Sequence, residues 1–331
     1  MKAPKTLVLG SLVLMSVLYA CKKNDSTPVP GKTDAKWSGE TMNVKLKFSG
    51  DFQTEESPLG RQASNARINP DSTLYAVDVR MSTYWLYGQG IYTRLDSLSL
   101  DLPKGTFYTI KVTAFKKGSG LGLYETIDSV SSGRFLPGGP LYRHITNRLV
   151  RDSVGPESLR RNFLDVLSNF WISSNASSYD NYTYSELDSY YGTYEGVPRD
   201  SQMAYITVPL KRVTYGIRFK PQNFTEGRLL VDYSNLSKSK MLTFNNTYDT
   251  VYTYTANEFI NGENLASALP VYLRWMRADG SIQDLGSVRI NPKRNTLTTI
   301  SVTAPSPGNG TPLGIYITEN NWKSDTTVVV K

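Results

Sequence analysis

Apolar and polar residues exchange places at every second position through much of this chain. Val44, Leu46 and Phe48 alternate with Lys45 and Lys47. Phe107–Phe115 does the same after the turn Leu102-Pro103-Lys104-Gly105. A period of two puts one side of an extended segment in a core and the other in water. Leu74–Met81, Ile206–Leu210, Thr214–Phe219, Arg228–Tyr233, Thr250–Thr255, Val271–Met276, Ser287–Ile290 and Thr296–Thr303 carry the same signature. Short runs rich in Val, Ile, Thr and Tyr, separated by Gly, Pro and Asn turns, predict antiparallel β-sandwiches.

One stretch departs from this period. After Pro156-Glu157-Ser158, the residues Leu159, Phe163, Leu167, Phe170 and Trp171 fall at helical spacing, with Pro at a first-turn position. They predict one amphipathic helix packed on the first sandwich. Ser173–Gln202 is polar and dense in Tyr, and is expected to be a long loop or excursion before the domain boundary. At 331 residues the chain fits about two domains. The expected division is 1–20 as an export signal, 21–36 as a tether, 37–204 and 205–304 as two β-domains, and 305–331 as a tail. The tail opens with a Pro- and Gly-rich stretch and then holds two further candidate strands, Leu313–Thr318 and Thr326–Lys331.

Composition narrows the chemistry. One Cys and one His rule out a disulfide framework, a Cys-rich zinc site, an iron–sulfur cluster and any multi-histidine metal site. His144 is the only imidazole, and its neighbours Tyr142, Arg143 and Ile145 suggest no catalytic partner. Gly-x-Ser-x-Gly, a Walker loop, His-Glu-x-x-His and an EF-hand loop are all absent from the sequence. The paired carboxylates Glu55-Glu56 stand in a turn beside Pro58. No enzyme activity, metal or cofactor is expected. The net charge of +8 comes from Lys and Arg scattered between apolar residues, the pattern of a wet strand face, so nucleic acid is not an expected partner.

The single Cys has a telling position. Met1-Lys2-Ala3-Pro4-Lys5 is basic, Thr6–Leu18 is apolar, and Leu18-Tyr19-Ala20-Cys21 closes the run. This is the layout of a secretory signal, and the apolar run is shorter than the roughly 18–20 residues that span a bilayer. Leu18–Cys21 resembles a bacterial lipobox, which implies acylation of Cys21 and anchoring in the outer membrane at the cell surface. Tyr19 departs from the small residue usual there. Lys22–Lys36, with Pro28, Pro30 and Gly31, reads as a flexible tether.

With these elements in place, the chain resembles the fimbrillin superfamily of Bacteroidota, whose members are pilins and pilus-associated surface proteins. The resemblance is carried by Cys21 and its tether, by Thr41–Gly50 followed by Ser57-Pro58-Leu59-Gly60-Arg61-Gln62-Ala63, and by Asp101-Leu102-Pro103-Lys104-Gly105-Thr106-Phe107. Val208-Pro209-Leu210-Lys211-Arg212-Val213, expected to open the second domain, and Asn291-Pro292-Lys293-Arg294-Asn295 complete it. It implies two tandem transthyretin-like sandwiches, with the predicted helix in or after the first. In polymerising members of that family, cleavage after an arginine releases the first strand, and a C-terminal strand of another subunit fills the groove. Arg61 stands at the matching place, with Arg67 as a second candidate, and Thr326, Thr327, Val328, Val329 and Val330 form the candidate donor. Anchor or accessory members keep both strand and lipid. The implied partners are the membrane through Cys21, other fimbrial subunits, and a host or bacterial surface ligand.

Two further patterns stand beside this. Asp-Ser/Thr tripeptides at Asp96-Ser97-Leu98 and six other places resemble the O-glycosylation acceptor of exported proteins in that phylum. The Tyr-rich stretch also admits a glycan-binding surface lipoprotein of a polysaccharide-uptake system, with Tyr184, Tyr190 and Tyr191 as stacking platforms beside Tyr179, Tyr182 and Tyr194.

Overall fold

The computed structural model describes residues 40–52, 73–82, 85–120, 122–129, 134–141, 145–151, 172–173, 184–199, 204–233, 239–243, 250–304 and 314–321. All of these lie in one compact unit, Ser38–Lys331. The strands are β1 (Thr41–Gly50), β2 (Leu74–Met81), β3 (Trp85–Tyr92), β4 (Ser99–Pro103), β5 (Tyr108–Lys117), β6 (Tyr124–Ser129), β7 (Arg134–Pro140), β8 (Val150–Arg151), β9 (Ile172–Ser173) and β10 (Leu187–Gly196). They continue as β11 (Ala204–Arg212), β12 (Thr214–Gln222), β13 (Arg228–Asp232), β14 (Lys240–Thr243), β15 (Val251–Thr255), β16 (Leu269–Met276), β17 (Ile282–Ile290), β18 (Thr296–Thr303) and β19 (Gly314–Asn321). Short 3-10 turns at Leu95–Ser97 and Asn257–Ile260 interrupt the strands. The expected helix over residues 156–171 lies outside the described residues.

The first eight-stranded sheet runs β4-β1-β11-β10-β5-β2-β3-β8. It folds on itself where β10 and β11 meet, pairing Tyr190 with Arg212 and Tyr191 with Lys211. A wall of β4, β1 and β11 then faces a wall of β10, β5, β2, β3 and β8. Met42, Val44, Leu46, Leu100, Leu102, Ile206, Val208 and Leu210 from the first pack with Tyr75, Val77, Val79, Tyr108, Ile110, Val112 and Tyr190 from the second. The second wall is buried on its other face too, where Leu74, Ala76, Phe115 and Leu187 form a separate cluster with Ile91 and Leu141. Burial on both faces explains why the first half of β2, Leu74–Val77, is continuously apolar.

The C-terminal layers repeat this plan. Sheet β15-β12-β18-β19 contributes Tyr215, Ile217, Phe219, Tyr254, Ile300 and Val302 to a second core. Sheet β14-β13-β16-β17 faces it with Leu229 and Val231, the β16 row Leu269, Val271, Leu273 and Trp275, and Leu285. In both halves the first strand lies between an antiparallel neighbour and a parallel one: β1 between β4 and β11, β12 between β15 and β18. The facing wall matches as well, with β10-β5-β2-β3 corresponding to β17-β16-β13-β14.

Three expectations change. The pairs β1–β11 and β12–β18 are parallel, so the sheets are mixed and not purely antiparallel. A parallel pair needs a long crossover in place of a tight turn, so no local sequence signal announces it. The Tyr-dense stretch is not wholly a loop, because Leu187–Gly196 is a ten-residue strand pairing with β5 along its whole length. Finally, β11 pairs with β1 and β10 in the first set of layers, instead of opening the second.

Tyr215 Oη is buried without a hydrogen-bond partner, whereas Tyr108 Oη donates to the Pro103 carbonyl at 3.0 Å. Tyr215→Phe is expected to leave stability unchanged or raise it by about 1 kcal/mol, and Tyr108→Phe to lower it by about 1 kcal/mol, in urea unfolding. A marked loss in Tyr215→Phe would contradict the unpartnered hydroxyl.

Candidate functional site

The place occupied by β1 is the candidate site. Met42, Val44 and Leu46 point inward and are buried, while Thr41, Asn43, Lys45 and Lys47 face water. Lys47 Nζ lies 3.8 Å from the centre of the Tyr205 ring on this outer face. β1 pairs antiparallel with β4 from Thr41–Pro103 to Lys45–Ser99, and parallel with β11 from Val44–Ala204 to Gly50–Leu210. Neighbouring strands sit about 4.8 Å apart, so withdrawing β1 would leave a slot one strand wide between two unpaired edges. Each inward aliphatic side chain contributes about 2 kcal/mol of burial to holding the strand.

The far end of β1 has its own fastening. Phe48 stacks on Tyr75 with centroids 5.7 Å apart, and Phe52 meets Tyr190 edge-on at 5.1 Å. Gly50 has φ +89°, and a Cβ there would stand 2.6 Å from the Leu210 carbonyl oxygen, so only glycine makes this turn without strain. The turn delivers Asp51. Its N–H donates to the Leu210 carbonyl at 2.9 Å, and its Oδ2 accepts from the Arg212 N–H at 3.2 Å and from Arg294 Nη1.

Arg294 comes from the turn between β17 and β18, so this contact joins the two sets of layers. Its Nε donates to Glu263 Oε2 at 2.7 Å, its Nη1 also reaches the Arg212 carbonyl at 3.2 Å, and Lys211 Nζ lies 2.9 Å from Glu263 Oε1. Beneath it, buried Arg212 donates to Asp188 Oδ1 at 2.8 Å and to Asn295 Oδ1 at 3.1 Å. Lys116 approaches Asp188 at 3.7 Å. Partial burial pushes the Glu263 carboxyl up, but hydrogen bonds from Lys211 and Arg294 outweigh it and hold the group below the usual range.

The sequence-predicted residues fall unevenly. Cys21, Arg61, Arg67, His144 and Thr326–Val330 lie outside the described residues. Tyr184 is buried in the C-terminal core, edge-on to Tyr215 at 5.8 Å, and its hydroxyl donates to Glu258 Oε1 at 3.2 Å. Tyr190 is buried in the other core. Tyr191 is partly buried and accepts from Thr193 Oγ1 at 3.2 Å. The three rings are thus divided between two cores and do not form one exposed platform. The cluster of Asp51, Arg212, Glu263 and Arg294 is not visible in the sequence, because 243 positions separate Asp51 from Arg294. Among the described residues, no group of three His, Cys, Asp or Glu could hold a metal ion, and no helix is long and apolar enough to cross a membrane.

No protein-family model matches the chain, and no curated protein matches it in sequence. Among solved structures, it is similar to a fimbrial anchor protein of Porphyromonas gingivalis, at 9% identity over 86% of this chain and 98% of that one, with a TM-score of 0.41. A C-terminally truncated tip fimbrial protein of the same organism matches at 9% identity over 86% and 100%, with a TM-score of 0.39. A fimbrial assembly protein of Parabacteroides distasonis matches at 10% identity over 85% and 95%, with a TM-score of 0.36. At these identities and scores, the likeness gives this chain neither an activity nor a ligand.

The lowered Glu263 carboxyl sets a pH dependence. A depressed carboxyl stabilises the fold above its unfolded pKa, about 4.3, and loses that contribution as pH falls through the lower folded value. The wild type should therefore unfold at higher urea than Glu263→Gln at pH 7, with the gap closing below about pH 4. A gap that persists unchanged at about pH 2.5, below the unfolded carboxylate range, would contradict the ion pairing.

Proposed function

We propose that this chain is a lipid-anchored cell-surface structural protein, acting in a fimbria as a subunit, anchor or accessory protein, and joined to its neighbours by strand complementation. The observation that carries this is the placement of β1. It is the first strand of the described chain, it sits between two other strands, and it fills the core with alternate side chains. The segment directly after it carries Arg61 and Arg67, so one cut there frees β1 from the rest of the polypeptide. An open slot with unpaired main-chain edges takes an extended strand, main-chain bonds giving affinity and alternate side chains giving register. Thr326–Val330 of a second copy is the proposed donor, and acylated Cys21 the anchor of the uncut form. The same topology in both halves supports assigning them as two sandwich domains.

Treatment of the purified chain with an arginine-specific protease is expected to release the β1 piece and produce detergent-resistant ladders. The double variant Arg61→Ala, Arg67→Ala should remain monomeric. Cleavage that only unfolds the protein, or ladders formed equally by the double variant, would overturn polymerisation through this slot. Labelled fatty acid should enter the wild-type chain in cells and be absent from Cys21→Ala; label retained in that variant would refute the anchor.

A further inference from the structure

We infer that the β1 slot ends in a carboxylate receptor, which selects the strand that fills it by an acidic residue placed immediately after a glycine. This deepens the slot reading above and rests on it. The receptor consists of the Arg212 N–H and Arg294 Nη1, both directed at Asp51 Oδ2.

Its parts are held by groups other than Asp51. Arg294 is oriented by the Glu263 carboxylate at 2.7 Å and by its own N–H, which donates to the Glu263 carbonyl at 2.9 Å. The Arg212 backbone is placed by the β11 ladder, and its side chain by Asp188 and Asn295. Both donors therefore stay aimed at the slot end when the strand bearing Asp51 is exchanged. The surrounding charges favour an anion there. Among the described residues, ion pairs set Lys116, Lys211, Arg212 and Arg294 against Asp51, Asp188 and Glu263, so losing Asp51 removes one of the three carboxylates that face these four cations. The Arg294 side chain is only 17% exposed, so water screens it incompletely.

The rest of the slot fixes where that acid must fall. Val44 and Leu46 fill the core, Phe48 stacks on Tyr75, and Gly50 makes the positive-φ turn beside the Leu210 carbonyl. The fitting partner is an extended peptide with aliphatic residues at two alternate positions, an aromatic at the next, then glycine and an acid. Thr326–Val330, with neither glycine nor acid and with Lys331 after it, would fill the groove without engaging the receptor, so the receptor favours β1 itself over that donor. Charge-assisted bonds are the stronger class, and they also discriminate against a neutral or cationic replacement.

The test uses the full chain cut between residues 53 and 72 and fluorescent peptides of residues 40–52. The wild-type peptide is expected to exchange into the slot at least about tenfold more tightly than its Asp51→Asn form, with Asp51→Lys weaker still. Arg294→Gln in the protein should shrink the difference. Equal binding of all three peptides would overturn the receptor while leaving the slot intact. If no peptide exchanges, strand complementation fails, and the receptor is judged in the uncut chain by native-state hydrogen exchange. There, Asp51→Asn should speed exchange of β1 amides severalfold and leave β16 amides unchanged, and adding Arg294→Gln should have little further effect. Unchanged β1 exchange would overturn the receptor.

Discussion

The parallel pairing of β1 with β11 is the constraint on which the first set of layers depends. Without β1, neither β4 nor β11 has a partner on its facing edge, and the wall opposite β5 and β2 breaks into two pieces. Val44 and Leu46 supply the middle of the core that Leu100, Val208, Val77 and Val112 surround. At the outer margin of that wall, the Asp101 carbonyl on β4 accepts from Tyr87 Oη at 2.8 Å and from Arg151 Nη2 at 3.4 Å.

The second set of layers makes the same arrangement. β12 occupies the position equivalent to β1, but it follows β11 after the single residue Val213 and is tied into the chain at both ends. Val213 is buried, and its N–H donates to the Ser189 carbonyl at 2.9 Å. One topology thus occurs twice, with its first strand continuous with the preceding strand in one half and leading the described chain in the other. The charged cluster around Asp51 links them, since Arg294 belongs to the second half and Asp51 follows β1 of the first.

Much of the strand content is legible in the sequence because runs rich in Val, Ile, Thr and Tyr stand between turns, and in β1 because alternation reports one-sided burial. β1, β2 and β18 have the predicted limits, Thr41–Gly50, Leu74–Met81 and Thr296–Thr303. β10 is hidden because it is buried on both faces at its start, and its polar residues Asp188 and Ser189 are satisfied by partners that no local pattern announces. β3 is hidden by its glycines. A Cβ at Gly90 would lie 2.5 Å from the Arg148 carbonyl oxygen, so this glycine marks a close crossing inside a strand. The inward face of the slot is legible and its end is not. Asp51 and Arg294 look like ordinary loop charges until the fold brings them together.

If β1 is a separable element, it should leave the fold in a sub-global step. The full chain, cut between residues 53 and 72, would be titrated with urea while the β1 piece is followed by a fluorophore and the remainder by far-UV circular dichroism. The labelled piece is expected to leave at lower urea than the main transition, with the remaining sheets still folded. Release coincident with global unfolding would show instead that β1 is an inseparable part of the core.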